Sequence, residues 1–246
     1  MDALLNAYNV EIKNLQEFYE TLYNEIEYEP GKTTSLGVVY WGKSDFLPEL
    51  PQVCSTIINS GITDIITLYN ELRTPVKIKK YLSNYPLSEK AIRTLTHDIR
   101  LWLPQRIDLH DIPIVKDNHI DIEKLNNRGI TDQIIFLSNY NRITDRLTLS
   151  KEIAIEFEKL TKYIHVCDFF RMGSNLDAIR PLLYYRMGYN TFEKWAKAKP
   201  REIINCFECY LKENELADKY LVPFTKEVVN GIEWAKVHTR LFTVEY

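Results

Sequence analysis

Apolar residues near the start of the chain fall at Leu5, Tyr8, Ile12, Leu15, Tyr19, Leu22 and Ile26, in alternating steps of three and four. Such a stripe predicts a long amphipathic N-terminal helix, stopped by Pro30 and Gly31, whose regular seam suits a partner helix or a second copy of the chain. Residues 31–46 lose the helical period and predict a loop with a short extended segment at Val38 to Trp41. Helical spacing then dominates. Ser88 is placed to cap a helix carrying Ile92, Leu95, Ile99 and Trp102, closed by Pro104; a matching run from Ser150 carries Ile153, Phe157, Leu160, Ile164 and Cys167. Arg201 to Lys212 and Thr225 to Val237 show the same periodicity, and the last residues read as a strand or an extended arm.

One pattern occurs three times, at Cys54 to Asp64, Ile122 to Asp132 and Pro181 to Thr191. In each, an apolar turn of helix runs into a glycine: Gly61, Gly129 and Gly188, with Ile57, Leu125 and Tyr184 four residues before. Glycine adopts the left-handed stop without strain. An apolar residue follows, then Thr63, Thr131 or Asn190, each able to cap a next helix. The fold predicted is all-α: about three degenerate helix-hairpin-helix-like copies over residues 46–237, preceded by an acidic helix and extended segment over 1–45 and followed by a tail over 238–246.

Composition adds limits. With 246 residues, 45% of them hydrophobic, the chain buries a full core, and its net charge of -3 gives no global attraction to nucleic acid. The charge is uneven: residues 1–30 hold seven acids against Lys13, and residues 171–201 hold seven bases against Asp177 and Glu193. Four cysteines without a leader, and no apolar run of ~20 residues, predict a reduced, cytoplasmic protein with no membrane partner.

Arg73, Thr74 and Pro75, then Leu82, the run LSEKAI at Leu87 to Ile92, and VPFTKEVVNGIEW from Val222 to Trp234, together resemble a domain-of-unknown-function family of divergent helix-hairpin-helix units found in bacteria and archaea. The resemblance spans residues 46 to 237 and implies an all-helical fold of paired hairpins, with no activity attached. The wider class binds duplex DNA without reading bases, through glycine-rich turns whose amides approach phosphates. The corresponding turns, near Leu47 to Gln52, Ile112 to Asp117 and Gly173 to Asp177, lack paired glycines and carry Glu49, Asp117 and Asp177. Only the third keeps a basic setting, so Arg171, Gly173, Ser174, Arg180, Arg186, Lys194, Lys197 and Lys199 are the candidate nucleic-acid contacts.

No set of side chains predicts catalysis, a cofactor or a metal. Cys206 and Cys209 form a C-x-x-C pair with no second pair to complete a zinc site. His165 and Asp168 share a helical face while Cys167 points elsewhere; His97 with Asp98 and His110 with Asp111 diverge as neighbours. Gly31, Lys32 and Thr33 lack the earlier glycine of a phosphate loop, since Ile26 stands there. The aromatics Tyr184, Tyr185, Tyr189, Phe192 and Trp195, interleaved with cations, fit core packing better than base stacking. The functional expectation is a non-catalytic binding or adaptor protein working through protein contacts, including the N-terminal helix; the alternative is sequence-independent duplex DNA binding through residues 171–201.

Overall fold

The computed structural model describes residues 2–18, 48–172 and 179–246. The described residues are helical with no strand among them. In chain order the helices are α1 (Ala3–Tyr8), α2 (Leu50–Asn59), α3 (Ile65–Leu72), α4 (Pro75–Asn84), α5 (Glu89–Trp102), α6 (His119–Asn127), α7 (Gln133–Tyr140), α8 (Ile143–Ile153), α9 (Phe157–Phe169), α10 (Ile179–Arg186), α11 (Phe192–Lys197), α12 (Pro200–Glu213) and α13 (Thr225–Leu241). Two compact units result: one holds residues 8–103, the other residues 1–7 with 104–246. No described helix is long and apolar enough to cross a membrane.

From α2 onward the described helices fall into three runs of four, called copies below: α2 to α5, α6 to α9 and α10 to α13. Their first junctions match bond for bond. Gly61, Gly129 and Gly188 have φ of +88°, +77° and +91°. The amide three residues past each helix reaches back five residues, Ile62 N to Ile57 O (3.3 Å), Ile130 N to Leu125 O (3.0 Å) and Tyr189 N to Tyr184 O (3.0 Å), satisfying carbonyls that a helix end leaves open.

The N-caps of the next helices differ from expectation by one residue. Asp64, Asp132 and Thr191 hold those positions, with φ of -144°, -144° and -143°, and accept from the amides of Thr67, Ile135 and Lys194. The expected caps Thr63, Thr131 and Asn190 stand one position too early to reach an amide in the first turn. Asp64→Ala therefore lowers the stability of its unit by about 1 kcal/mol in urea unfolding, against a change within about 0.5 kcal/mol for Thr63→Ala. Equal losses at both positions would refute this cap assignment.

The first two copies stay in phase beyond the junction. Glu89 and Phe157, which begin the fourth helix, each lie 28 residues past their glycine, and Thr225 lies 37 past its own. The buried face follows suit in the first two copies: Ile92, Leu95, Ile99 and Trp102 correspond to Leu160, Tyr163, Cys167 and Phe170, all buried. In the third, Tyr184, Phe192, Trp195, Phe207 and Val228 form the core, so most of the aromatic set is packing. Gly231 admits the Trp195 indole, which would stand 3.1 Å from a Cβ at that position.

The continuous helix from Leu5 to Ile26 is not formed where the chain is described. Helix α1 ends at Tyr8, Glu11 is extended in a bridge with Asp64, and a 3-10 turn covers Ile12–Asn14. Ile12 N donates to Thr63 O (2.8 Å) and Ile65 N to Val10 O (3.0 Å), so backbone pairing to the glycine junction replaces helical bonding. Tyr8, Ile12 and Leu15 are nevertheless fully buried. A second such bridge, Asp108 with Asp132, precedes the 3-10 turn Leu109–Asp111 in the second copy. Residues 19–47, with the rest of the seam, the Gly31 to Thr33 run and the extended segment at Val38 to Trp41, lie outside the described residues. Of the expected hairpin turns, residues 112–117 are a turn with Ile112 and Val115 buried, a packing element.

Candidate functional site

The most elaborate polar arrangement in the described chain surrounds its last residues. Helix α13 continues through Leu241, past the expected boundary at 237, and residues 242–246 then run extended along the second copy. Two fully buried arginines anchor them. Arg146, on α8, donates to the carbonyls of Tyr140 (3.0 Å) and Asn141 (2.9 Å) at the end of α7, and to that of Glu245. Arg171 pairs with Asp168 (Nε to Oδ1 2.6 Å), both nearly inaccessible, and donates to the carbonyls of Phe242 (3.0 Å) and His238 (3.3 Å). Its guanidinium lies against the rings of Phe192, at 4.7 Å, and Phe242, at 5.4 Å. Cations beside the last carbonyls of α7 and α13 also suit the helix dipoles.

The remaining contacts read the extended segment atom by atom. Asn141 Nδ2 donates to Thr243 O (3.1 Å), Glu245 N donates to Asn141 O (2.8 Å), and the Ile143 amide, at the start of α8, donates to Glu245 Oε2 (2.7 Å). Val244 is buried to 2% exposure. Tyr246 donates its hydroxyl to Asp168 Oδ2 (2.5 Å) and lays its ring on His165, centroids 4.5 Å apart. Burial first, then the Asp168 charge and bond, push the Tyr246 phenol above its usual range. Burial, with the Arg146 and Lys194 charges behind it, lowers His165 to about 4, and its Nε2 is buried without a hydrogen bond. A cavity of about 300 Å³ remains beside the segment, lined by Asp168, Arg171, Phe192, Phe242, Val244 and Tyr246 among others. Backbone groups on alternate residues, one carboxylate, one β-branched side chain and one phenol are thus each given a partner.

Of the residues expected to contact nucleic acid, Lys194 and Lys197 line one open pocket with Gly188 and Glu202. Arg171 is a correction: it is 1% exposed and committed to Asp168 and to carbonyls, so it presents nothing to a phosphate. Gly173 and Ser174 lie outside the described residues. Lys194 donates to Asn190 Oδ1 (2.7 Å), Lys197 pairs with Glu193 (2.5 Å) and Lys199 with Glu202 (3.1 Å). Arg186 is exposed and Arg180 half-buried. Gly61, Gly129 and Gly188 are the structural turns expected of them.

Cys206 and Cys209 sit on α12, and no group of three or more metal-binding side chains occurs among the described residues. Cys167 is fully buried and its thiol is pushed far up by that burial, then by the Asp168 charge. His165 and Asp168 do share a face, and what they face is Tyr246. Arg146, Asn141, Glu245 and Tyr246 were not apparent in the sequence pattern. One signal for the arginines existed: Arg146 and Arg171 stand 68 residues beyond Ile78 and Leu103, which are buried apolar residues of the first copy. Comparison of the chain with family models, with curated proteins and with solved structures gave no match.

Proposed function

We propose that this chain is a non-catalytic binding or adaptor protein, a helical repeat scaffold of helix-hairpin-helix-like copies that works through protein contacts. The observation that supports this reading is the extended segment 242–246 in its groove on the second copy, where Arg146, Asn141 and Ile143 bond backbone and carboxylate and Val244 and Tyr246 enter their own sites. Main-chain bonds giving affinity and separate side-chain sites giving selectivity are how proteins recognise extended peptides. The groove selects an apolar β-branched residue, then an acid, then a tyrosine, and the chain's own tail holds it until a partner segment competes.

The test is a labelled, end-capped peptide of sequence RLFTVEY titrated against the natural chain and against Tyr246→Ala, whose own tail is weakened. Saturable binding, at least tenfold tighter to Tyr246→Ala and lost when the peptide's Glu becomes Lys, is the expected result. No saturable binding to either chain would remove the reading. The second reading, duplex DNA binding through residues 171–201, has less behind it, because Arg171 is buried and Lys197 and Lys199 are already paired.

A further inference from the structure

The third helices of the three copies carry different charge. Helix α8 mixes Asp145 and Glu152 with Lys151 and the buried Arg146, and α12 mixes Glu202, Glu208 and Glu213 with Arg201 and Lys212. Helix α4 and its approach differ: Arg73, Lys77, Lys79 and Lys80 are all exposed, and no acid occurs from Leu72 to Ser88. Ile78 and Tyr81 turn to the core, leaving Lys79, Lys80 and the exposed Val76 on the outer side with Lys77 at its edge. Lys77 spans to Asn70 O (2.6 Å), and none of the four makes an ion pair among the described residues. Ion-paired cations occur elsewhere, as in Arg93 with Glu89, Arg128 with Glu152 and Lys159 with Asp121.

Like charges at neighbouring helical positions repel one another. Arg73 and Lys77 flank the first turn of α4, the positive end of its dipole, while Arg73 as the C-cap of α3 and Lys77 through Asn70 O also meet the negative end of α3, so Lys79 and Lys80 are the cations with no such setting. No acid between Leu72 and Ser88 offsets the repulsion among these cations.

We propose that Arg73, Lys77, Lys79 and Lys80 form a docking surface for the phosphodiester backbone of nucleic acid, bound without base readout. The surface holds four long cationic side chains and one exposed apolar residue, Val76, too little for the apolar insertion of a lipid surface, and its charge is complementary to phosphates. It lies on the first copy and owes nothing to the tail groove.

A labelled DNA duplex titrated across a salt series, from about 50 to 200 mM, tests it. The natural chain should bind with a log–log slope of about -3 to -4, and Arg73→Gln/Lys79→Gln/Lys80→Gln should lower the magnitude of the slope by about 3, at roughly 0.9 per phosphate contact. Affinity at the lowest salt should then fall at least tenfold. These three side chains are exposed, so the fold persists, and unchanged circular dichroism verifies that. Changing Arg186, Lys194, Lys197 and Lys199 to Gln should leave binding as it was. Absence of binding at the lowest salt, binding indifferent to the triple change, or binding to phosphatidylserine vesicles without binding to DNA would each overturn the proposal.

Discussion

Arg171→Ala lowers the unfolding free energy of the unit containing residues 104–246 by about 3–5 kcal/mol, the range for removing one partner of a buried pair. The magnitude follows from what is left behind. Asp168 would be left at 1% exposure with its arginine gone and the Tyr246 hydroxyl still bonded to Oδ2, and the carbonyls of His238 and Phe242 would lose a donor. A cavity would open between the rings of Phe192 and Phe242, adding a packing loss. Lysine does not rescue the site, because a single ammonium cannot serve a carboxylate and two carbonyls with the planar fork that arginine supplies. Urea unfolding followed by circular dichroism measures the loss. A change under about 1 kcal/mol would mean that Arg171 is no clasp, since that is the range of exposed pairs.

Acid is the second large lever. Unfolded, an imidazole takes its proton near pH 6.5; in the folded chain burial, reinforced by the Arg146 and Lys194 charges, holds His165 to about 4. Between those values the unfolded state binds the extra proton, so stability is full above about pH 6.5, falls as the pH drops towards 4, and stops falling on this account below that. The loss from His165 is about 3 kcal/mol over that window. His238, fully buried, acts in the same direction through burial and then the Arg171 charge. His97 in the other unit is also lowered to about 4, by burial and then by Arg100. Urea midpoints at pH 7 and 4.5 should therefore separate widely for the natural chain and less for His165→Phe. Parallel losses in the two proteins would show that His165 is not the group responsible.

What could be read from the sequence was local. The glycine stops were legible because a helix ending on an apolar face and then glycine has one low-energy continuation, and Gly61, Gly129 and Gly188 all take it. The caps were misread by one position because Thr63 and Asp64 both carry capping oxygens, and it is Asp64, directly before α3, that accepts from the Thr67 amide. The N-terminal stripe was right about burial and wrong about backbone: Tyr8, Ile12 and Leu15 face the core, yet Ile12 bonds to Thr63, a partner that no local period reveals. The groove escaped for the same reason. Glu245 and Asn141 bond across about a hundred residues, and a buried arginine looks like a surface one until Arg146 is set beside Ile78.

The bonds that Arg146 and Arg171 make to residues 242–246 set an order of events during synthesis. Their partners lie 99 and 71 residues further along the chain. At roughly 5–20 residues per second, the ribosome delivers those partners several seconds or more after the arginines themselves. Throughout that interval the second copy exists without its last strap, with two guanidinium groups awaiting their carbonyls and the Val244 site unfilled. Closure of that unit is therefore a late, long-range step, the kind that slows folding most.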